Sequence, residues 1–518
     1  MLDRIGGFPL VSASDAAPRG DRLRGLADEL DAPLVIVANR EPYVHEFTDA
    51  GIVVQRPPSG LVTGIEPLLR ACGGTWVAHG SGTADFETAG ANGVIAVPPE
   101  SPAYDLRRVF LSQEEVAGYY NGFANEALWP LCHRAWTQPV FRHDDWEAYR
   151  RVNRRFARAA AEAGGKLVLV QDYHFALVPR FLRELSREAA VGVFWHIPWP
   201  DAGTFAICPW AAEILDGLLG ADVIGFHTGE YCAHFIECVD RMVRRARVNR
   251  GDMSVEIDGR RVMVRAYPIS IEWPYPAASE DDGAKLREEL GIAPDVHVSV
   301  GVDRCDYTKG LLERVAAIEL LFEEHPELRG RYVHVQVAAP TRMQIGRYQD
   351  LNVEVANAVA RVNQRFGAEA IVLKLESFPP EVVRRYYAMG DSAIVTPVHD
   401  GMNLVAKEYV ASCYDTTSGR RGALVLSRFT GAASELNGAL LVNPYDLREV
   451  ADAIVRAVRM PAVERASRLR LMRRALERNT ISDWAVNQLA ALARVQTGRR
   501  VQRPAENDGR ERAAGHRF

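Results

Sequence analysis

Two carboxylates and two cations in this chain lie where strands give way to helices, and that placement suits a ligand carrying both hydroxyls and anionic oxygens. The carboxylates are Asp400 and Glu408, in Asp400-Gly401-Met402-Asn403-Leu404-Val405-Ala406-Lys407-Glu408-Tyr409. Ser392 to Val398, just before them, is apolar and β-branched, and reads as a buried strand. After the Asp-Gly turn the pattern is helical from Leu404 to Ser412, with Asn403 as cap. A helix start at the carboxyl end of a strand offers unpaired N–H groups and the positive end of the helix dipole to phosphate or sugar oxygens. Acids so close would repel phosphate alone and favour hydroxyls, so a sugar nucleotide satisfies both halves.

The cations are Arg304 and Lys309, in Gly301-Val-Asp-Arg304-Cys-Asp306-Tyr-Thr-Lys309-Gly310. They flank a turn between a strand and a helix that begins near Leu311. Two cations at a helix start oppose its dipole unless an anion lies between them, and a pyrophosphate would resolve that conflict. The plainer alternative is a surface turn with solvated charges. Lysine usage favours the first reading. Five lysines stand against 57 arginines, so the two kept inside motifs, Lys309 and Lys407, are functional candidates.

Other candidates follow strands in the first half. Arg40 ends Val37-Ala38-Asn39-Arg40, where it can meet an anion, and Ser59 to Gly64 is a glycine-rich helix start containing Gly60. Gln171-Asp172-Tyr173-His174 and Trp195-His196-Ile197-Pro198 are polar breaks after strands. Tyr119 to Pro130, with Tyr120, Asn125 and Trp129, is aromatic and largely neutral: a core cluster, or a wall facing a sugar. No His/Cys/Asp cluster has metal-ligand spacing, and neither a Gly-x-Ser-x-Gly elbow nor a P-loop is present.

Positioning these groups calls for two α/β units. Strand candidates Pro33–Ala38, Lys166–Val170, Ala190–Phe194, Asp222–Phe226 and Val262–Ala266 alternate with helical stretches. The Pro-rich break Pro268–Pro276 precedes a second series: Val296–Val300, Tyr332–Val337, Ala370–Leu373, Ala393–Val395 and Ala423–Leu426. Alternation of this kind predicts doubly wound, mostly parallel sheets, with ligands at the carboxyl ends of the strands. The expected division is a mobile leader (1–30), a first Rossmann-like domain (31–268) and a second (269–478). A C-terminal helix (479–496) that packs back on the first domain and a disordered tail (497–518) complete it. Val450 to Leu476 reads as helical with Arg-rich exposed faces.

With 518 residues, 47% hydrophobic and 25% charged, the chain is long enough for two globular cores. A net charge of −5 gives no reason to expect nucleic acid or an anionic membrane as partner, and no run is long and apolar enough for a span. The N-terminus lacks signal-peptide order, and seven cysteines without a C-x-x-C pair argue against a disulfide framework. The expectation is a cytoplasmic protein with reduced thiols; homo-oligomerisation is left open.

Taken together, these motifs resemble the trehalose-6-phosphate synthase family of retaining glycosyltransferases, from about Leu34 to Leu489. The likeness rests on Asn39-Arg40, Tyr-Tyr-Asn-Gly-Phe with Leu-Trp-Pro (119–130), Asp172-Tyr-His174, His196-Ile-Pro198, Asp303 to Gly310, Asp400 to Tyr409, and Asn443-Pro-Tyr-Asp446. It implies a GT-B fold, two Rossmann-like domains facing a central cleft, with the acceptor held by the first domain and the nucleotide sugar by the second. Arg304 and Lys309 would bind the donor diphosphate and stabilise it as it leaves, in place of a metal. Gly60 would approach the diphosphate through its backbone, Glu408 would hold the ribose, and Leu404 and Val405 would lie beside the nucleotide. Asp400, Gly401, Met402 and Asn403 would grip the glucose, with His196 on its other side. Arg40, Tyr120 and Arg342 would bind the acceptor phosphate, and Asp172 and Trp129 the acceptor sugar. The implied substrates are UDP-glucose and glucose 6-phosphate, with no cofactor.

Three positions depart from the family pattern: His79 and His399, where tryptophan and arginine are usual, and Glu41-Pro42-Tyr43, which is similar to the related glucosylglycerol-phosphate synthases. The competing expectations are therefore glycerol 3-phosphate as acceptor, or a non-catalytic sugar-phosphate sensor. The sensor should have lost a donor-side charge, yet Arg304, Lys309, Asp400 and Glu408 are all present.

Overall fold

Strands with both faces covered are near-continuous apolar runs, and Leu34–Val37, Leu167–Gln171 (polar only at its last residue), Ala190–Phe194 and Val223–Phe226 are buried at every position. In the computed structural model, which describes residues 33–57, 60–90, 92–367, 369–413 and 421–502, these strands lie side by side in one sheet of ten. On one flank come Thr75–His79, Tyr104–Val109 and Val94–Val97; on the other Arg260–Ala266, Ser254–Ile257 and Arg247–Asn249. The inner pairings are parallel, and only the outermost are antiparallel. The second sheet has six strands, all parallel, in the order Ile371–Lys374, Tyr332–Ala339, His297–Arg304, Ser392–Val395, Ala423–Ser427, Leu440–Val442.

The chain leaves the first sheet after Ala266 and crosses through Pro268–Pro276 to the second. It crosses back at Asn479, where Ile481 N–H donates to Ile271 C=O at 3.0 Å. The last helix, Ile481–Gln502, then covers the first sheet. Trp484 meets Phe194 edge-on at 5.1 Å, and Leu492 lies so close over Gly192 that a Cβ there would sit 3.1 Å from it.

Several expectations need correction. The helix continues through the residues assigned to a tail, as far as Gln502; the leader and residues 503–518 lie outside the described residues. The stretch Val450–Leu476 is two helices, Leu447–Arg459 and Ala462–Arg478, because Pro461 can start a helix but cannot continue one. Short strands such as Thr75–His79 and Tyr104–Val109, and the hairpin Val44–Thr48/Gly51–Gln55, were not among those read from the pattern. They are short and mixed in polarity, so their periodicity is too weak to register.

Candidate active site

The turn after Ser392–Val395 is held in place mainly by backbone and capping bonds. Asp400 N–H donates to Phe429 C=O at 3.0 Å, and Asn403 caps the helix Leu404–Ser412 by accepting from Ala406 N–H at 3.1 Å. Asn403 also donates to Asp400 Oδ2 at 3.1 Å. Gly401 has no room for a side chain, since a Cβ there would stand 2.5 Å from the His196 carbonyl oxygen of the first sheet. The carboxyl ends of the two sheets meet at this point. Tyr231 hydroxyl donates to Asp400 C=O at 3.3 Å, and His399 Nδ1 donates to His133 C=O at 2.6 Å.

The strand His297–Arg304 ends in the second cluster. Asp306 caps the short turn Tyr307–Lys309 by accepting from Thr308 N–H at 3.0 Å, and Gly310 takes φ +65° with Thr396 C=O so near that a Cβ would lie 2.2 Å away. This turn aims Lys309 at Asp400, Nζ to Oδ2, at 2.5 Å. Both side chains are about a tenth exposed. Burial pushes the Asp400 carboxyl up, but the Lys309 ammonium outweighs it and keeps Asp400 ionised. The conflict between two cations and a helix dipole is thus met by Asp400 beside Lys309 and by Asp306 near Arg304, at 4.0 Å. Burial likewise opposes ionisation of Asp306, yet Arg342, Arg304 and Lys309 hold it down at about 2.

Arg342 reaches from the loop after Tyr332–Ala339 across to the first unit. It donates to Asp306 at 2.9 Å, to Tyr348 hydroxyl at 2.6 Å and to Tyr173 hydroxyl at 3.3 Å. Its guanidinium stacks on Trp129 at 3.9 Å, and Arg304 lies over the same ring at 5.1 Å. Trp129 is therefore a floor beneath two cations as well as part of the core.

On the first sheet, Asp172 follows Leu167–Gln171 in a left-handed conformation, φ 74°, uncommon outside glycine. Its Oδ1 accepts from Tyr173 N–H at 2.9 Å and His196 N–H at 3.1 Å. Burial nevertheless pushes its carboxyl up to about 7, against those bonds and against Arg342 and Arg304. His196 is kept neutral by burial and by His227, and its Nε2 meets Gln171 Oε1 at 2.8 Å. Tyr120 stacks on His174 at 5.5 Å, with the exposed Arg40 nearby at the end of the first strand.

Glu408, one turn into its helix, accepts from Tyr387 hydroxyl at 2.7 Å, and burial raises its carboxyl above the usual range. Gly60 faces this helix, its missing Cβ 3.0 Å from Leu404 Cδ1; Ser59 lies outside the described residues. Met402 is buried, and Leu404 and Val405 are half-buried. Lys407, the second lysine candidate, turns away from this cluster, with its Nζ on Ile269 C=O at 2.7 Å.

Sequence reasoning passed over His227, whose Nε2 donates to His196 C=O at 3.0 Å. The signal was available, because His227 directly follows the strand Val223–Phe226, as Asp172 and His196 nearly follow theirs. Of the departures, His79 sits against Val109 C=O at 3.4 Å, and burial keeps it neutral. Glu41 faces Arg108 at 2.9 Å, and Tyr43 hydroxyl donates to Glu66 at 2.6 Å; both are buried away from the cluster. Burial and the neighbouring Asp85 push the Glu41 carboxyl up to about 8.

Two Rossmann-like units that face each other with their strand carboxyl ends, and carry paired cations and carboxylates there, define a GT-B glycosyltransferase. The model of glycosyltransferase family 20 matches residues 32–494, and the chain belongs to that family. Trehalose-6-phosphate synthase of Mycobacterium avium is 39% identical over 92% of this chain and 98% of its own. The α,α-trehalose 6-phosphate synthase of Burkholderia multivorans superposes with a TM-score of 0.80 at 32% identity, covering 94% of this chain and all of that one. The Escherichia coli structure bound with UDP-2-fluoro glucose matches at a TM-score of 0.78 and 31% identity, over 89% and 99% of the two chains. The Burkholderia xenovorans synthase in complex with glucose-6-phosphate matches at 0.77 and 30%, with the same coverages. This chain is an enzyme, a glycosyltransferase of the trehalose-phosphate synthase type.

Proposed function

We propose that the chain transfers glucose from UDP-glucose to glucose 6-phosphate with retention, giving trehalose 6-phosphate. The observation that carries this reading is the Lys309–Asp400 pair at 2.5 Å, which puts a phosphate cation beside a hydroxyl-binding carboxylate where the two units meet. The donor diphosphate lies along Arg304, Lys309 and the Gly60 backbone, and Glu408 takes the ribose hydroxyls. Asp400 and the 401–403 turn hold the glucose from one side and His196 from the other. Neutrality of His196 matters, because the ring gains positive charge as its bond to phosphate breaks. Arg304 and Lys309 stabilise the negative charge that collects on the leaving diphosphate, so the reaction needs no metal. The acceptor hydroxyl bonds to the anomeric carbon on the face the diphosphate vacates, and its proton passes to the departing phosphate oxygen.

The acceptor phosphate meets Arg40, Tyr120 and Arg342, and its sugar meets Asp172 and Trp129. Burial of Glu41 and Tyr43 favours glucose 6-phosphate over glycerol 3-phosphate, since the residues shared with the glycerol enzymes are engaged in packing. The reaction runs in the cytoplasm on small-molecule substrates. The deciding experiment incubates pure protein with UDP-glucose and each acceptor and identifies the product. UDP release with glycerol 3-phosphate and none with glucose 6-phosphate would sink this assignment.

Two further outcomes follow. Arg40→Ala should raise the KM for glucose 6-phosphate about tenfold or more, the loss of one charge-assisted bond, and leave the KM for UDP-glucose near normal. An unchanged acceptor KM contradicts its role. Asp172 accepts a sugar hydroxyl more strongly when ionised than when protonated, and its carboxyl is raised to about 7. Hence kcat/KM for the acceptor should climb as pH rises through about 7 and level off above it. Asp172→Asn should lower the plateau and abolish that inflection; a surviving inflection assigns it to another group.

A further inference from the structure

Lys407 is fully buried, yet the chemistry above does not use it. Packing alone does not call for an ammonium there, since apolar groups of similar volume often fill such sites with no loss of stability. Its bonds go in two directions. Nζ donates to Ile269 C=O at 2.7 Å, on the segment that leaves the first unit, and to Glu435 at 2.9 Å. The other oxygen of Glu435 accepts from Asn479 Nδ2 at 3.5 Å, where the chain returns. The same Asn479 amide donates to Pro268 C=O at 2.8 Å, and Ile481 N–H to Ile271 C=O at 3.0 Å. The outgoing and returning crossings are therefore tied to each other, and one ammonium is tied to both. That ammonium belongs to the helix whose start forms the glucose turn and whose next residue is Glu408.

We propose that Lys407 is a positioning residue that locks the nucleotide-holding helix to the double crossing between the two units, so that nucleotide bound at one end of the helix restrains the crossing that joins them. This rests on the reading of Glu408 and the helix start as the nucleotide site. Burial alone would push the Lys407 ammonium towards losing its proton, and Glu435 opposes that, so the tie depends on the pair.

Hydrogen exchange on the full chain, with and without UDP, tests it. Peptides covering 400–408 report nucleotide binding, and peptides covering 268–276 and 479–484 report the crossings. In the wild type UDP should slow exchange in both sets, by about tenfold at the crossings. In Lys407→Met the slowing at 400–408 should persist and that at the crossings should vanish. Turnover in this variant should fall about tenfold, with the KM for UDP-glucose changed less than about threefold. Glu435→Gln and Asn479→Ala, at half-buried positions, should each weaken the crossing signal and keep the test valid if Lys407→Met does not fold. Slowing at the crossings in folded Lys407→Met equal to wild type overturns the proposal, as does wild-type binding that leaves the crossings unchanged. No slowing at 400–408 in the wild type overturns instead the nucleotide reading on which it rests.

Discussion

Lys309→Ala should lower turnover roughly a hundred- to a thousand-fold, the cost of removing one preorganised group aimed at developing negative charge. The ammonium is held by a short glycine-terminated turn and faces Asp400 at 2.5 Å, so it is in place before any ligand arrives. The substitution also leaves Asp400 buried and short of its counter-ion, which costs stability as well as activity. The two effects separate in Lys309→Ala/Asp400→Asn, which should recover most of the lost Tm and none of the turnover. Steady-state rates measured well below the Tm of each variant make the comparison. Near-normal turnover in a folded Lys309→Ala would remove the diphosphate role.

Arg342→Ala should be the most damaging change on the acceptor side. Asp306 is fully buried and held ionised first of all by Arg342, so losing that partner costs about 3 kcal/mol, or roughly 6–12 °C in Tm. The KM for glucose 6-phosphate should rise at least about tenfold, because the same guanidinium spans the cleft beneath the expected acceptor phosphate. Arg342→Lys restores the charge but neither the flat stack on Trp129 nor the forked bonding of Nη1 to Asp306 and Nη2 to Tyr173, and should recover stability only in part. A lower Tm with an unchanged acceptor KM would make Arg342 a structural ion and no more.

Much of the framework was legible because its signals are local. The Asn403 cap and the helix Leu404–Ser412 emerged with the predicted bounds, and the strand read over Ser392 to Val398 is present but ends at Val395, before Pro397, since β-branching, capping chemistry and helical period act within a few residues. The two series of apolar runs likewise became the parallel parts of two sheets, the first with antiparallel edges. Illegible were elements whose stability comes from neighbours. Thr75–His79 pairs between two other strands, and the end of Ile481–Gln502 is helical beyond a sequence that reads as tail.

The same division holds within the site. Residue types, their order and the strand–turn–helix settings of Arg304, Lys309, Asp400 and Glu408 were determined by the sequence alone, because turn geometry and helix starts depend on adjacent residues. Which groups face which was decided only by the tertiary structure. Lys309 finds Asp400 across 91 positions, His399 finds the His133 carbonyl across 266, and Lys407 finds Ile269 across 138. Glu41 and Tyr43, read from sequence as bearing on the acceptor, turned inward to Arg108 and Glu66. Contacts at such separations are set by how the two sheets pack and how the chain crosses between them, and no local pattern of residues encodes that packing.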